Sequence, residues 1–180
     1  YGSHGGATRT ARQSNSTGTE YLPLTHRTFA LWRELSAEAG HDLLVESGTV
    51  FIGKPGSGWF DRTLKSLETS AIKHEILDGP TTRSRFPAFE VDADETAVFE
   101  PHGTVAPVVE GSDALHAQAR RHGAELRFET PVEAYSEDAD GVEVRTPSGT
   151  YRADRLVVAV GAWSGQLLGL DLPVAVERQV

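Results

Sequence analysis

The chain has 180 residues, 38% of them hydrophobic, a formal net charge of −9, and neither cysteine nor methionine. That length buries one good core, divided at most between two lobes, and the missing cysteines exclude a disulfide framework, a thiolate zinc site and a thiol nucleophile. The acidic balance argues against nucleic acid and anionic membranes as partners, no apolar run reaches bilayer length, and no secretion signal opens the chain, so a soluble cytoplasmic protein is expected.

Residues 1–19 are rich in Gly, Ser, Thr and Asn without a period, and an extended loop is expected there. Pro23 then opens a helix, with Leu24, Thr28, Leu31, Leu35 and Ala39 on one face and Gly40 as its stop. Asp42 to Ile52 holds two β-rich runs, Leu43-Leu44-Val45 and Val50-Phe51-Ile52, around Ser47-Gly48. Phe60, Leu64, Leu67 and Ala71 mark a second amphipathic helix after the breaker Pro55-Gly56-Ser57-Gly58, and Glu75–Leu77 reads as a short strand ending at Gly79-Pro80. Residues 83–89 read as an arginine and aromatic turn.

Thr96–Phe99 and Thr104–Ala106 are expected as strands on either side of Pro101-His102-Gly103, followed by a helix over Val108 to His122 that closes at Gly123. A meander comes next: Glu125–Phe128, Val132–Ser136, Val142–Arg145 and Tyr151–Ala153, with turn chemistry at Asp140-Gly141 and Ser148-Gly149. Leu156–Val160 is continuously apolar, the texture of a strand buried on both faces. Gly161 ends it, and Trp163, Leu167 and Leu168 begin a short helix. The class is α/β, mixed α and β, with Trp32, Trp59 and Trp163 as core or helix anchors.

Candidate chemistry concentrates at the two ends. Arg9 and Arg12 follow a Gly-Gly pair in a stretch with no hydrophobic reason for order. Arginine stays charged and can hold a carboxylate through two parallel hydrogen bonds, or favour an anionic ring system; the plainer alternative is a pair of solvated arginines in a flexible arm. A buried strand that feeds a helix through glycine suits dinucleotide phosphates, although any buried strand can end in glycine. Seven histidines show no paired ligand spacing, Asp92-Ala93-Asp94 and Asp138-Ala139-Asp140-Gly141 lack the glutamate of a calcium loop, and no metal site is expected. Asn15-Ser16-Thr17 fits a glycosylation acceptor, with nothing else pointing to secretion.

Two segments carry a family resemblance: Tyr1-Gly2-Ser3-His4-Gly5-Gly6-Ala7-Thr8-Arg9-Thr10-Ala11-Arg12, and Ala153-Asp154-Arg155-Leu156-Val157-Val158-Ala159-Val160-Gly161-Ala162-Trp163-Ser164. In this order and separation they resemble the monomeric sarcosine oxidase and N-methyltryptophan oxidase group of the D-amino-acid oxidase superfamily. The resemblance implies an internal fragment that lacks the glycine-rich dinucleotide turn and the C-terminal part. It implies FAD as cofactor in the full-length parent, with the fragment alone inactive and not retaining FAD.

By the same resemblance Arg9 lies against the isoalloxazine, Arg12 holds the substrate carboxylate, and Ser3, His4 and Thr8 fall beside the flavin. Val132 meets the adenine through its backbone, while Gly161 and Trp163 lie near the dinucleotide. Gly5 and Ala7 depart from close relatives, which carry a second histidine and an aspartate there. The implied organisation is a flavin- and substrate-facing loop over 1–19 and part of an antiparallel substrate domain over 20–106. Part of the doubly wound FAD-binding domain follows over 107–172, then a crossover over 173–180. The implied reaction oxidises a secondary amino acid, N-methyl or cyclic, to an imine, with oxygen as acceptor and hydrogen peroxide as product. The alternatives are a dehydrogenase of the same superfamily or a non-catalytic module that kept the scaffold. Leu156–Val160 is expected to pair with a second copy of the fragment or to be covered by a rearranged neighbour.

Overall fold

The structure is a computed structural model and describes residues 5–14, 19–171, 173 and 175. Its elements are mixed α and β, and all three of its sheets are small and antiparallel. The chain forms two compact units, one spanning Gly6–Gln118 and the other taking in Ala119 onward together with Gly5.

In the Gly6–Gln118 unit, β1 (Thr8–Ala11), β2 (Val45–Glu46) and β6 (Thr104–Pro107) make one sheet in the order β1-β6-β2. The other sheet, β3-β5-β4, is built from β3 (Thr49–Gly53), β4 (Glu75–Leu77) and β5 (Thr96–Glu100). The expected loop over 1–19 is therefore corrected at Thr8–Ala11, where alternating threonines suit a pleated strand and Arg9 pairs with Ala106. Flanking Gly, Ser and Asn residues hide that short signal.

Helix α1 (Leu22–Ala39) starts with Pro23 in its first turn and stops at Gly40, which takes the left-handed conformation with φ 76°. Its expected face is not the buried one. Burial follows Leu22 and Phe29, seven residues apart, while Leu24 and Leu31 are exposed. Ser36, seven residues further, accepts the Leu43 amide at 3.0 Å, so this stripe, not the leucine stripe, faces the unit's interior.

Helix α2 (Gly58–Thr69) supplies Phe60 and Leu67 to a core shared with Leu22, Phe51, Ile72 and Val98. Fully burying such side chains contributes about 1.5–3 kcal/mol each. Residues Gly79–Arg85 form helix α3, so the expected turn at 83–89 is corrected over its first half. Asp78 caps the helix by accepting the Thr81 amide at 2.8 Å, and Pro80 fits the first turn, where its missing N–H is no loss.

Strands β5 and β6 are consecutive in the chain yet belong to different sheets, and the turn Pro101–Gly103 hands the backbone from one to the other. The Gly103 carbonyl accepts the amides of Ser47 and Gly48 at 3.1 and 2.9 Å. A Cβ on Gly103 would lie 2.7 Å from both the Cβ and the backbone nitrogen of Thr49, so only glycine fits. Helix α4 (Val108–Arg121) continues directly from β6.

In the unit from Ala119 onward, β7 (Ala134–Asp138), β8 (Gly141–Thr146) and β9 (Gly149–Ala153) form the meander. Arg152 of β9 donates to both carboxylate oxygens of Asp138 at 3.0 and 2.9 Å, and the Asp140 amide adds a turn bond at 2.9 Å. Those bonds hold the Asp138 carboxyl below its ordinary range, the Arg152 guanidinium first among the causes. Two expected strands are absent. Glu125–Phe128 has no strand pairing, and neither does Leu156–Val160, where Val157 is 86% exposed. Apolarity alone makes no strand: a ladder needs a partner's N–H and C=O groups, and none of the described strands runs beside this segment. Helix α5 (Ser164–Leu168) is entered through a 3-10 turn at Gly161–Trp163.

Candidate active site

The arginine segment belongs to the Gly6–Gln118 unit. Arg9 sits on β1, exposed, with Nη1 donating to the Thr8 carbonyl at 2.8 Å. The start of β1 is tied to the start of α4 by the Val108 amide, which donates to the Ala7 carbonyl at 3.0 Å. Arg12, just past the strand, is exposed with its guanidinium 5.5 Å from the centroid of the Phe51 ring. A cation over an aromatic face is held without its charge being neutralised. Among the described residues Arg12 makes no ion pair.

The two residues after Arg12 are anchored in the interior. Both Ser14 and Glu100 are buried, at 2% and 0% exposure. The Gln13 amide donates to Glu100 Oε1 at 3.0 Å, and Ser14 Oγ donates to Oε2 at 2.8 Å. Thr104 Oγ1 donates to the Ala11 carbonyl at 2.8 Å. A buried carboxylate is tolerated when its oxygens are hydrogen-bonded, and Glu100 meets that condition with two donors from the arginine segment. Neither Glu100 nor Ser14 is among the residues that the sequence pattern singles out. The one local signal is a glutamate closing an otherwise apolar β-run, Thr96–Glu100, just before a turn.

Of the other expected positions, Val132, Gly161 and Trp163 lie in the unit from Ala119 onward and share one cleft. A cavity of about 910 Å³ is lined by Val132, Tyr135, Ala159, Gly161, Trp163 and Leu167, among others. Val132 precedes β7, outside the ladder, and is 45% exposed; it is not a strand-core residue. Trp163 is 52% exposed and Trp59 44%, so of the core or helix role expected of them the helix one remains: Trp59 lies in the first turn of α2 and Trp163 directly before α5. Gly161 has φ 55° and opens the 3-10 turn. Thr8 is exposed on β1, while Ser3 and His4 lie outside the described residues. Among the described residues, the lining of the cleft contains no lysine or arginine.

Antiparallel sheets with an exposed arginine on one of them mark the Gly6–Gln118 unit, and a mainly apolar cleft marks the unit from Ala119 onward, in a chain of mixed α/β class. A family model described as FAD dependent oxidoreductase matches residues 1–180, and the chain belongs to that family. Over 181 residues it is 40% identical to the monomeric sarcosine oxidase of Streptomyces avermitilis, a match that covers 99% of this chain and 46% of the relative. The N-methyl-L-tryptophan oxidase of Yersinia pestis is 33% identical over 179 residues, covering 99% of this chain and 48% of that enzyme. Among solved structures, the open form of NikD, an unusual amino acid oxidase essential for nikkomycin biosynthesis, superposes with a TM-score of 0.81 at 30% identity. That superposition covers 92% of this chain and 43% of NikD. The chain thus spans about half the length of the curated relatives it matches.

The family's cofactor is FAD. The cleft beside Val132, Gly161 and Trp163 has mainly apolar walls with one acid, Glu133, a lining compatible with the uncharged, flat end of such a dinucleotide. With no cation among its described lining, the cleft does not by itself suit the pyrophosphate.

Proposed function

We propose that the protein carrying this chain is an FAD-dependent oxidase of a secondary amino acid, N-methyl or cyclic. When bound, FAD would supply the two-electron acceptor for oxidation of the carbon–nitrogen bond to an imine that water hydrolyses, with dioxygen as the final acceptor and hydrogen peroxide as the product. Arg12 binds the substrate carboxylate, and Arg9 supplies a fixed positive charge to the flavin side, with Thr8 beside it. Ser3 and His4 keep the flavin-side role that the resemblance implies. Val132, Gly161 and Trp163 hold the adenine side of the cofactor. Residues 20–106 serve the substrate side and residues 107–172 the cofactor side.

The observation that carries this reading is Arg12: an exposed guanidinium, seated on Phe51, with no ion-pair partner among the described residues. It is a positive charge held in place and left available to an anion. The test is a peroxide assay of the FAD-loaded protein against a panel of N-methyl and cyclic amino acids, with Arg12→Ala alongside. Loss of a bidentate carboxylate contact is expected to raise KM roughly 10- to 100-fold. An Arg12→Ala protein with unchanged KM contradicts the assignment.

A further inference from the structure

Glu100 is a fully buried acid at the end of β5 that the proposed chemistry does not use. Both of its oxygens are spent on the two residues directly after Arg12: Oε1 on the Gln13 amide at 3.0 Å and Oε2 on Ser14 Oγ at 2.8 Å. It has no ion-pair partner among the described residues, so its hydrogen bonds go to the segment, not to a counter-charge. Before Arg12, the Ala11 carbonyl accepts from Thr104 Oγ1 at 2.8 Å. Arg12 is therefore pinned on both sides in the backbone, and its side chain is steered by the Phe51 ring.

We propose that Glu100, acting through Gln13 and Ser14, is the positioning residue that fixes Arg12 for a substrate carboxylate, an inference that rests on the carboxylate role of Arg12. An ionised carboxylate is acceptor-only and suits two converging donors. Glutamine would keep the shape: its carbonyl oxygen can accept the Gln13 amide, and its NH₂ can donate to Ser14 Oγ, because a hydroxyl both donates and accepts. Alanine keeps neither bond. Placement of Arg12, not the charge of Glu100, is what the geometry requires.

The test uses Glu100→Ala, Ser14→Ala, Glu100→Gln and Arg12→Ala in the FAD-loaded protein that carries this chain. Two readouts apply: hydrogen exchange at the amides of residues 12–14, and the dissociation constant of acetate read from flavin absorbance. Exchange at Gln13 should speed up, and acetate binding weaken, by about 10-fold or more in Glu100→Ala, and by less in Ser14→Ala, which loses one bond. KM for N-methylglycine should rise more than kcat falls, and Glu100→Gln should recover most of both losses. Should Glu100→Ala fail to fold, Ser14→Ala and Glu100→Gln still decide the matter. If Arg12→Ala weakens acetate while Ser14→Ala and Glu100→Ala leave acetate and exchange at wild-type values, the role of Glu100 is overturned. A Glu100→Gln protein as impaired as Glu100→Ala overturns positioning in favour of charge. If Arg12→Ala itself leaves acetate binding intact, the carboxylate reading falls and takes the proposal with it.

Discussion

Replacing Gly103 with alanine places a methyl group in the turn that carries the chain from one sheet to the other. The new Cβ would stand 2.7 Å from the Cβ and from the backbone nitrogen of Thr49, well inside a carbon contact distance of ~3.5 Å. The Thr49 hydroxyl can rotate away, but its Cβ and nitrogen move only with β3 itself. Nor can the turn retreat freely, because the Gly103 carbonyl accepts the Ser47 and Gly48 amides at 3.1 and 2.9 Å. Overpacking of this kind costs about 1–3 kcal/mol, and loss of one of those hydrogen bonds adds ~1 kcal/mol. A destabilisation of about 3 kcal/mol is expected, toward the upper end because the obstruction is backbone. Chemical denaturation followed by tryptophan fluorescence measures it, as a lowered midpoint with an unchanged slope. A Gly103→Ala protein within about 0.5 kcal/mol of wild type, the spread of ordinary surface substitutions, refutes the close approach.

Leu67→Ala should destabilise by about 3 kcal/mol in the same assay, since Leu67 is fully buried in the Phe51–Phe60–Val98 cluster; a value below ~1 kcal/mol would mean that the site is not core. The Asp138 carboxyl is lowered by Arg152, so its contribution to stability is complete above the ordinary carboxylate range. That contribution disappears as pH falls through the lowered folded value. Asp138→Asn should flatten this part of the acid limb in a stability-against-pH curve, and superimposable acid limbs contradict the assignment. Val132→Asp puts a second acid, beside Glu133, on a cleft with no cation among its described lining, and should weaken FAD binding roughly 10-fold or more by titration; undiminished affinity would remove the cleft from the cofactor site.

Periodicity and turn chemistry make α1, α2, α4, β4 and the three-stranded meander legible in the sequence, because helical spacing and Gly or Asn-type turns are local properties. Most of the features that escape a sequence reading depend on partners distant in the chain. The strand Thr8–Ala11 exists because β6 offers it a ladder, a fact no window of eleven residues contains. Helix α3 is hidden by Gly79-Pro80, which reads as a breaker unless Asp78 is recognised as its cap. The buried face of α1 differs from the expected one because leucine spacing gives a stripe without saying which neighbour it meets. Leu156–Val160 is apolar enough to suggest a strand, yet none of the described strands pairs with it. In the candidate site the arginines are visible as residue types, whereas Glu100 becomes visible only once β5 brings it under the arginine segment.

The proposed oxidase chemistry is probed most directly by mixing the FAD-loaded protein that carries this chain with N-methyl and cyclic amino acids under anaerobic conditions, then admitting air. At least one such substrate is expected to bleach the flavin absorbance. Air should restore it with equimolar hydrogen peroxide, and Arg12→Ala should need far more substrate for the same bleaching. Flavin that stays oxidised with every secondary amino acid, or that is reduced but transfers its electrons to an artificial acceptor and not to dioxygen, contradicts the proposed oxidase.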